Sequence, residues 1–208
     1  MTFRARLAFL AFTALLVASG AAAAGPLSVA DVNAPDINCV FNTTCTVVVT
    51  DTSGHYPPSS GYTGKPRLIT RTFAGGPGAQ GDGLTAYEYR VDFRNAQAAT
   101  DINCAINLKV NTGRIQPLNY DGRGPKDVYV ITSGGIGSIA LSSATKSGPV
   151  VTFTFTTPVC PENGVNAPGQ SSFWFGFAAK GVPLKRKAFS DLTYGGGTVN
   201  VAARAPTH

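Results

Sequence analysis

The chain has 208 residues, of which 13% are charged, and a formal net charge of +6. That length suits one domain with a real core, and the low charge with 24 Gly and 14 Pro is typical of exported all-β proteins. With 2 His and 4 Cys at unsuitable spacings, zinc is not expected, and neither is any other metal or cofactor.

Residues 1–24 read as a secretory signal peptide. MTFRAR supplies the positive start, LAFLAFTALLVASG the apolar run, and AAAAG the small-residue exit. Cleavage after Ala24 would leave Gly25–His208 as the mature, single domain. An uncleaved anchor is the alternative, but the run is short for a spanning helix. Nothing later is apolar and long enough to span a bilayer, so the expected location is secreted, periplasmic or cell-envelope.

In an exported chain, Cys39, Cys45, Cys104 and Cys160 read as disulfides. Three pairings are possible. The favoured one closes Cys39 to Cys45 across VFNTT and ties Cys104 to Cys160. Two of these cysteines sit in a repeated tetrapeptide, DINC, at 36–39 and 101–104. The residues that follow differ, so the pair reads as two strand starts that each aim a Cys inward.

The strands follow by alternation. Ile37–Phe41, Cys45–Thr50 and Arg67–Phe73 are the first candidates. In LTAYEYRVDFR, Tyr87, Tyr89, Val91 and Phe93 share the core face, and Glu88, Arg90, Asp92 and Arg94 form an outward, solvated charge row. INCAINLKV places Leu108 and Val110 inward. Further candidates are Asp127–Thr132, Ile136–Ser142, VVTFTFT, SFWFGFA, Lys185–Leu192 and Gly197–Ala202. Turn-rich stretches separate them, and two long loops are expected, Asp51–Lys65 and Ala74–Gly83. The pattern predicts an all-β fold, an antiparallel β-sandwich of Ig-like or jelly-roll-like type, preceded by the signal-peptide helix.

The usual catalytic constellations are missing. GGPGAQG matches a dinucleotide fingerprint only formally, because it lacks the strand–turn–helix setting. DTSG has no second copy to make a paired-carboxylate site. His55 is the one credible base, and no G-x-S-x-G positions a nucleophile. Glu88 and Glu162 leave a two-carboxylate glycosidase open.

Binding candidates stand out more. Phe173, Phe175 and Phe177 face the core, so Trp174 points to the opposite face, where an indole can stack on a sugar ring. Tyr56 and Tyr62 in the first long loop could extend such a patch. Lys185, Arg186 and Lys187 cluster with Lys180 near the KGVP turn and could hold an anionic polymer; edge protection is the blander role. Export and the lack of a basic stripe interleaved with aromatics argue against nucleic acid.

The blocks GLTAYEYRVDFRNA, DVYVITSGGIGSIALSSA and SSFWFGFAAKGVP resemble an uncharacterised family of exported bacterial proteins, from about Gly61 onward. The resemblance implies a bacterial, exported, mostly-β protein and carries over no functional residues. The expected function is a non-catalytic module that binds a polysaccharide, another envelope polymer or a protein surface. The alternatives are a secreted hydrolase acting on glycans and a purely structural surface protein.

Overall fold

The computed structural model describes residues 24–57, 62–98, 103–162 and 168–207. The expected signal peptide lies, but for Ala24, outside the described residues, as do Asp101 and Ile102 of the second DINC copy. The strands, numbered in chain order, form two stacked sheets. The first runs β1 (Gly25–Pro26), β11 (Leu141–Ser147), β12 (Val150–Val159), β8 (Ala105–Asn111), β14 (Pro183–Asp191), β15 (Thr198–Pro206). The second runs β2 (Val29–Asn33), β10 (Val128–Ser133), β13 (Trp174–Ala179), β6 (Thr85–Asp92), β5 (Arg67–Ala74), β3 (Thr50–His55), and β9 (Ile115–Gln116) also pairs with β13. A small ladder joins β4 (Tyr62–Gly64) to β7 (Ala96–Ala98). Pairing is antiparallel throughout both sheets except between β2 and β10.

The main core lies between the sheets. Tyr87, Tyr89 and Val91 of β6 and Phe175 and Phe177 of β13 meet Leu108 and Val110 of β8 and Val151, Phe153 and Phe155 of β12. These are the residues that alternation places inward, because successive side chains of a strand point to opposite faces. Both expected disulfides are present, Cys39–Cys45 and Cys104–Cys160, the mark of a chain that folds in an oxidising compartment. Along one edge of the sandwich β15 crowds against β3, and a Cβ on Gly54 would overlap the Ala202 carbonyl oxygen.

Several expectations are corrected. Ile37–Phe41 is a short helix, α1, not a strand. Its apolar residues Ile37, Val40 and Phe41 fall at i, i+3 and i+4 and are buried together, which suits a helical turn. The first DINC copy therefore runs into a helix, whereas the described end of the second, Asn103 and Cys104, leads into β8. Of Cys45–Thr50 only Thr50 is in a strand, and the strand expected at Ile136–Ser142 begins instead at Leu141. The supposed loop Asp51–Lys65 contains most of β3 and all of β4. The glycine loop after β5 is a packed strap: the Gly76 and Gly81 N–H groups donate to the Phe41 and Val40 carbonyls at the end of α1.

The largest correction concerns the outer face of the second sheet. Glu88, Arg90 and Asp92 are buried, with Glu88 only 2% exposed. Ile37, Val40 and Phe41 build a second core there with Ile69, Phe73, Tyr129, Ile131 and Trp174. Alternation sorts residues by face but does not say what lies over the face. Here the cover comes from a distant segment that the Cys39–Cys45 bridge helps to hold in shape.

Candidate functional site

One straight row crosses the second sheet in register: Asp51, Arg71, Glu88, Gly176, Tyr129. Arg71 donates through Nε and Nη2 to the two Asp51 oxygens, both at 2.8 Å. Gly176 has no side chain, so the Tyr129 hydroxyl spans it and donates to Glu88 at 3.0 Å. Burial outweighs that bond and the nearby Arg71 charge, and pushes the Glu88 carboxyl up to about 7. Asp92, on the same face, receives Arg94 on both oxygens at 2.8 Å and also pairs with Arg67 and Arg90. Burial alone would raise its pKa, but the Arg94 hydrogen bonds win and hold it below the usual carboxylate range.

Trp174 does point to the outer face, as alternation predicts, but it is only 5% exposed. The guanidinium carbons of Arg71 and Arg90 sit 4.7 Å and 5.1 Å from its ring centroid. Such contacts are worth about 0.5–1 kcal/mol where the cation is exposed and about 2 kcal/mol where it is desolvated, as Arg90 is. The ring therefore offers no open stacking platform. Tyr56 and Tyr62 are also buried, on the inner side of the second sheet, packed edge-on against Phe93. The expected exposed aromatic patch of Trp174, Tyr56 and Tyr62 is not there. The three residues are divided between two separate cores.

The basic candidates behave differently. Lys185, Arg186 and Lys187 are all exposed on β14. The β14–β15 register places Lys185 directly opposite Arg204. Lys180, in the turn before β14, lines a shallow cavity with Arg114 and Gln116, next to the β9–β13 ladder. Val182, 63% exposed, and Leu184, 41% exposed, stand among these cations. Among the described residues, none of Arg114, Lys180, Lys185, Arg186, Lys187 or Arg204 forms an ion pair. The acids that do pair, Asp51, Asp92 and Asp191, are engaged by Arg67, Arg71, Arg90, Arg94 and Lys109. Sequence reading finds the 185–187 run because it is contiguous. It misses Arg114 and Arg204, which only sheet pairing brings alongside.

A glycan hydrolase needs two carboxylates flanking one cleft. The cavity beside Glu88 is lined by that carboxylate alone among the described residues. His55, at the end of β3, is exposed. Among the described residues, no group of three or more His, Cys, Asp and Glu gathers to hold a metal ion. No helix among them is long and apolar enough to cross a membrane. In comparison with known proteins, no family model, no curated protein and no solved structure matches the chain.

Proposed function

We propose that the protein is an exported, non-catalytic β-sandwich module that binds an anionic polymer of the cell envelope or its surroundings. The binding surface is the end of the sandwich that carries Arg114, Lys180, Lys185, Arg186, Lys187 and Arg204. The observation that supports this reading most is the Lys185–Arg204 pair. Like charges directly opposite in an antiparallel ladder are destabilising. Lys187 shares the Lys185 face of β14, Arg186 stands on the other, and Lys180 and Arg114 add unpaired cations at the turn before β14 and at β9; a polyanion would relieve the repulsion at the pair. Val182 and Leu184 add apolar contact beside the charge, as sugar-ring faces or acyl groups would require.

Retention of Gly25–His208 on immobilised polygalacturonate and on neutral dextran tests the reading. Retention on the acidic polymer alone, lost when Lys185→Glu and Lys187→Glu are combined, is the expected result. Equal retention on dextran, or full retention of the charge-reversed protein, overturns it.

A further inference from the structure

A second site, independent of the basic end, lies on the outer face of the second sheet. A cavity of about 240 Å³ opens between the segment around α1 and the loop after β10. Its polar part is Glu88 and Arg71, beside Trp174. Asn38 and the backbone of Gly134 and Gly135 add further polar groups, and the apolar part of the wall has Ile131 inside and Val49 and Ile136 at the surface. Ile136 is 54% exposed, and Val48, next to Val49 in the chain, is exposed too. Water-exposed branched side chains collected round an opening are costly to leave bare, and covering them is favourable.

The two charged groups inside already have hydrogen-bond partners, and Glu88 accepts from the Tyr129 hydroxyl. Arg71 is held on both oxygens of Asp51. A cationic guest would meet the guanidinium group of Arg71, which lines the cavity beside Trp174. An anionic guest would meet the Glu88 carboxylate. An ion of either sign meets a like charge in this small space, Arg71 for a cation and Glu88 for an anion, and must also give up its hydration. A neutral hydroxyl has two partners: a carboxyl that, near neutral pH, accepts or donates a proton in a hydrogen bond, and the remaining N–H groups of Arg71. The volume is below the range of about 300–1,000 Å³ typical of drug-sized sites, so the guest is one ring or a short branched chain.

We infer that this cavity binds a small, uncharged, single-ring amphiphile, of which a free phenol is the type. Its hydroxyl meets Glu88 and Arg71, and its ring is gripped by Ile131, Val49 and Ile136. A free molecule, rather than a tyrosine carried on a partner chain, is favoured by the cavity's match to one ring.

Calorimetric titration of the mature protein with p-cresol, benzylamine and benzoate tests the inference, with Trp174 emission excited at the red edge as a second readout. Saturable p-cresol binding, at least tenfold tighter than either charged analogue, is expected. Ile136→Asp, a change at an exposed position, should weaken it at least tenfold while leaving the thermal midpoint in place. No saturable p-cresol binding, an equal response to a charged analogue, or unchanged binding in the Ile136→Asp protein would overturn the site. N-acetyl-tyrosinamide separates the sources: affinity similar to p-cresol supports a free ring, and tenfold tighter binding overturns it in favour of a chain-borne tyrosine.

Discussion

The Tyr129 hydroxyl reaches over Gly176 and donates to Glu88 at 3.0 Å. This bond is not enough to keep Glu88 as acidic as an exposed glutamate, and its pKa is raised from 4.5 to about 7 by burial. The sign of the linkage follows. Between those two values the unfolded chain has released the proton and the folded chain has kept it. Folding is therefore favoured less as pH rises through the window, and the full cost is present above about 7. The shift sets an upper bound of about 3 kcal/mol. Glu88→Gln keeps an acceptor for Tyr129 and removes the titration. Urea unfolding should show the variant close to the parent at pH 5 and more stable by about 1–3 kcal/mol at pH 8. An unchanged pH slope in the variant would contradict the burial of this carboxyl.

Gly176 carries a second consequence. A Cβ at this position would overlap the Tyr87 carbonyl oxygen of the neighbouring strand, and backbone cannot swing away as a flexible side chain can. Gly176→Ala should lose about 2–4 kcal/mol in denaturant unfolding, the range of overpacked cores and lost networks. The control is Gly83→Ala at an open but left-handed position, φ +71°, where the loss should stay near 1 kcal/mol.

The two disulfides should differ in weight. Cys104 and Cys160 are separated by 56 positions, Cys39 and Cys45 by 6. The chain-entropy model gives about 4 kcal/mol for the longer loop and about 2 kcal/mol for the shorter. Replacing Cys104 and Cys160 by Ala should therefore cost the larger share of stability in unfolding experiments. Replacing Cys39 and Cys45 should act on the outer layer instead, raising acrylamide quenching of Trp174 more than it lowers the thermal midpoint.

The single Trp174 provides a direct readout of that layer. Covered by Arg71 and Arg90, it should emit in the blue and resist quenching in the intact protein. Saturating polygalacturonate should not move that emission, because the proposed polymer contacts lie on β14 and its neighbours. A red-shifted, freely quenched emission would show that the indole is open to solvent.

These relationships show what the sequence carried and what it did not. Alternation placed Tyr87, Tyr89, Val91, Phe175 and Phe177 on the inner face and Trp174 on the outer one, and the favoured cysteine pairing, taken from spacing along the chain, is the one present. Alternation is a local property, and two-fold periodicity survives in any register. The cover over Glu88, Arg90 and Asp92 is a long-range property. It depends on α1, whose single turn is too short to show a stripe beyond Ile37, Val40 and Phe41. The row EYRVD therefore looks like a solvated face and is a buried one. The basic end was legible only in the part that is close in sequence, Lys180 and Lys185–Lys187. Arg204 joins it through the β14–β15 register, and Arg114 through the pairing of β9 with β13.

The proposed binding surface rests on unpaired cations, so its affinity must respond to salt. The most direct measurement is calorimetric titration of polygalacturonate at low and near-physiological ionic strength. The Gly25–His208 protein should be compared with the same protein carrying Lys185→Glu and Lys187→Glu. Screening between exposed charges grows steeply across that range, as the Debye length shortens from about 30 Å at 0.01 M to about 8 Å at 0.15 M. The account predicts at least a tenfold fall in affinity with salt for the parent, and a further tenfold fall with a flatter salt response for the charge-reversed protein. Salt-independent binding, or equal affinity in the two proteins, would contradict it.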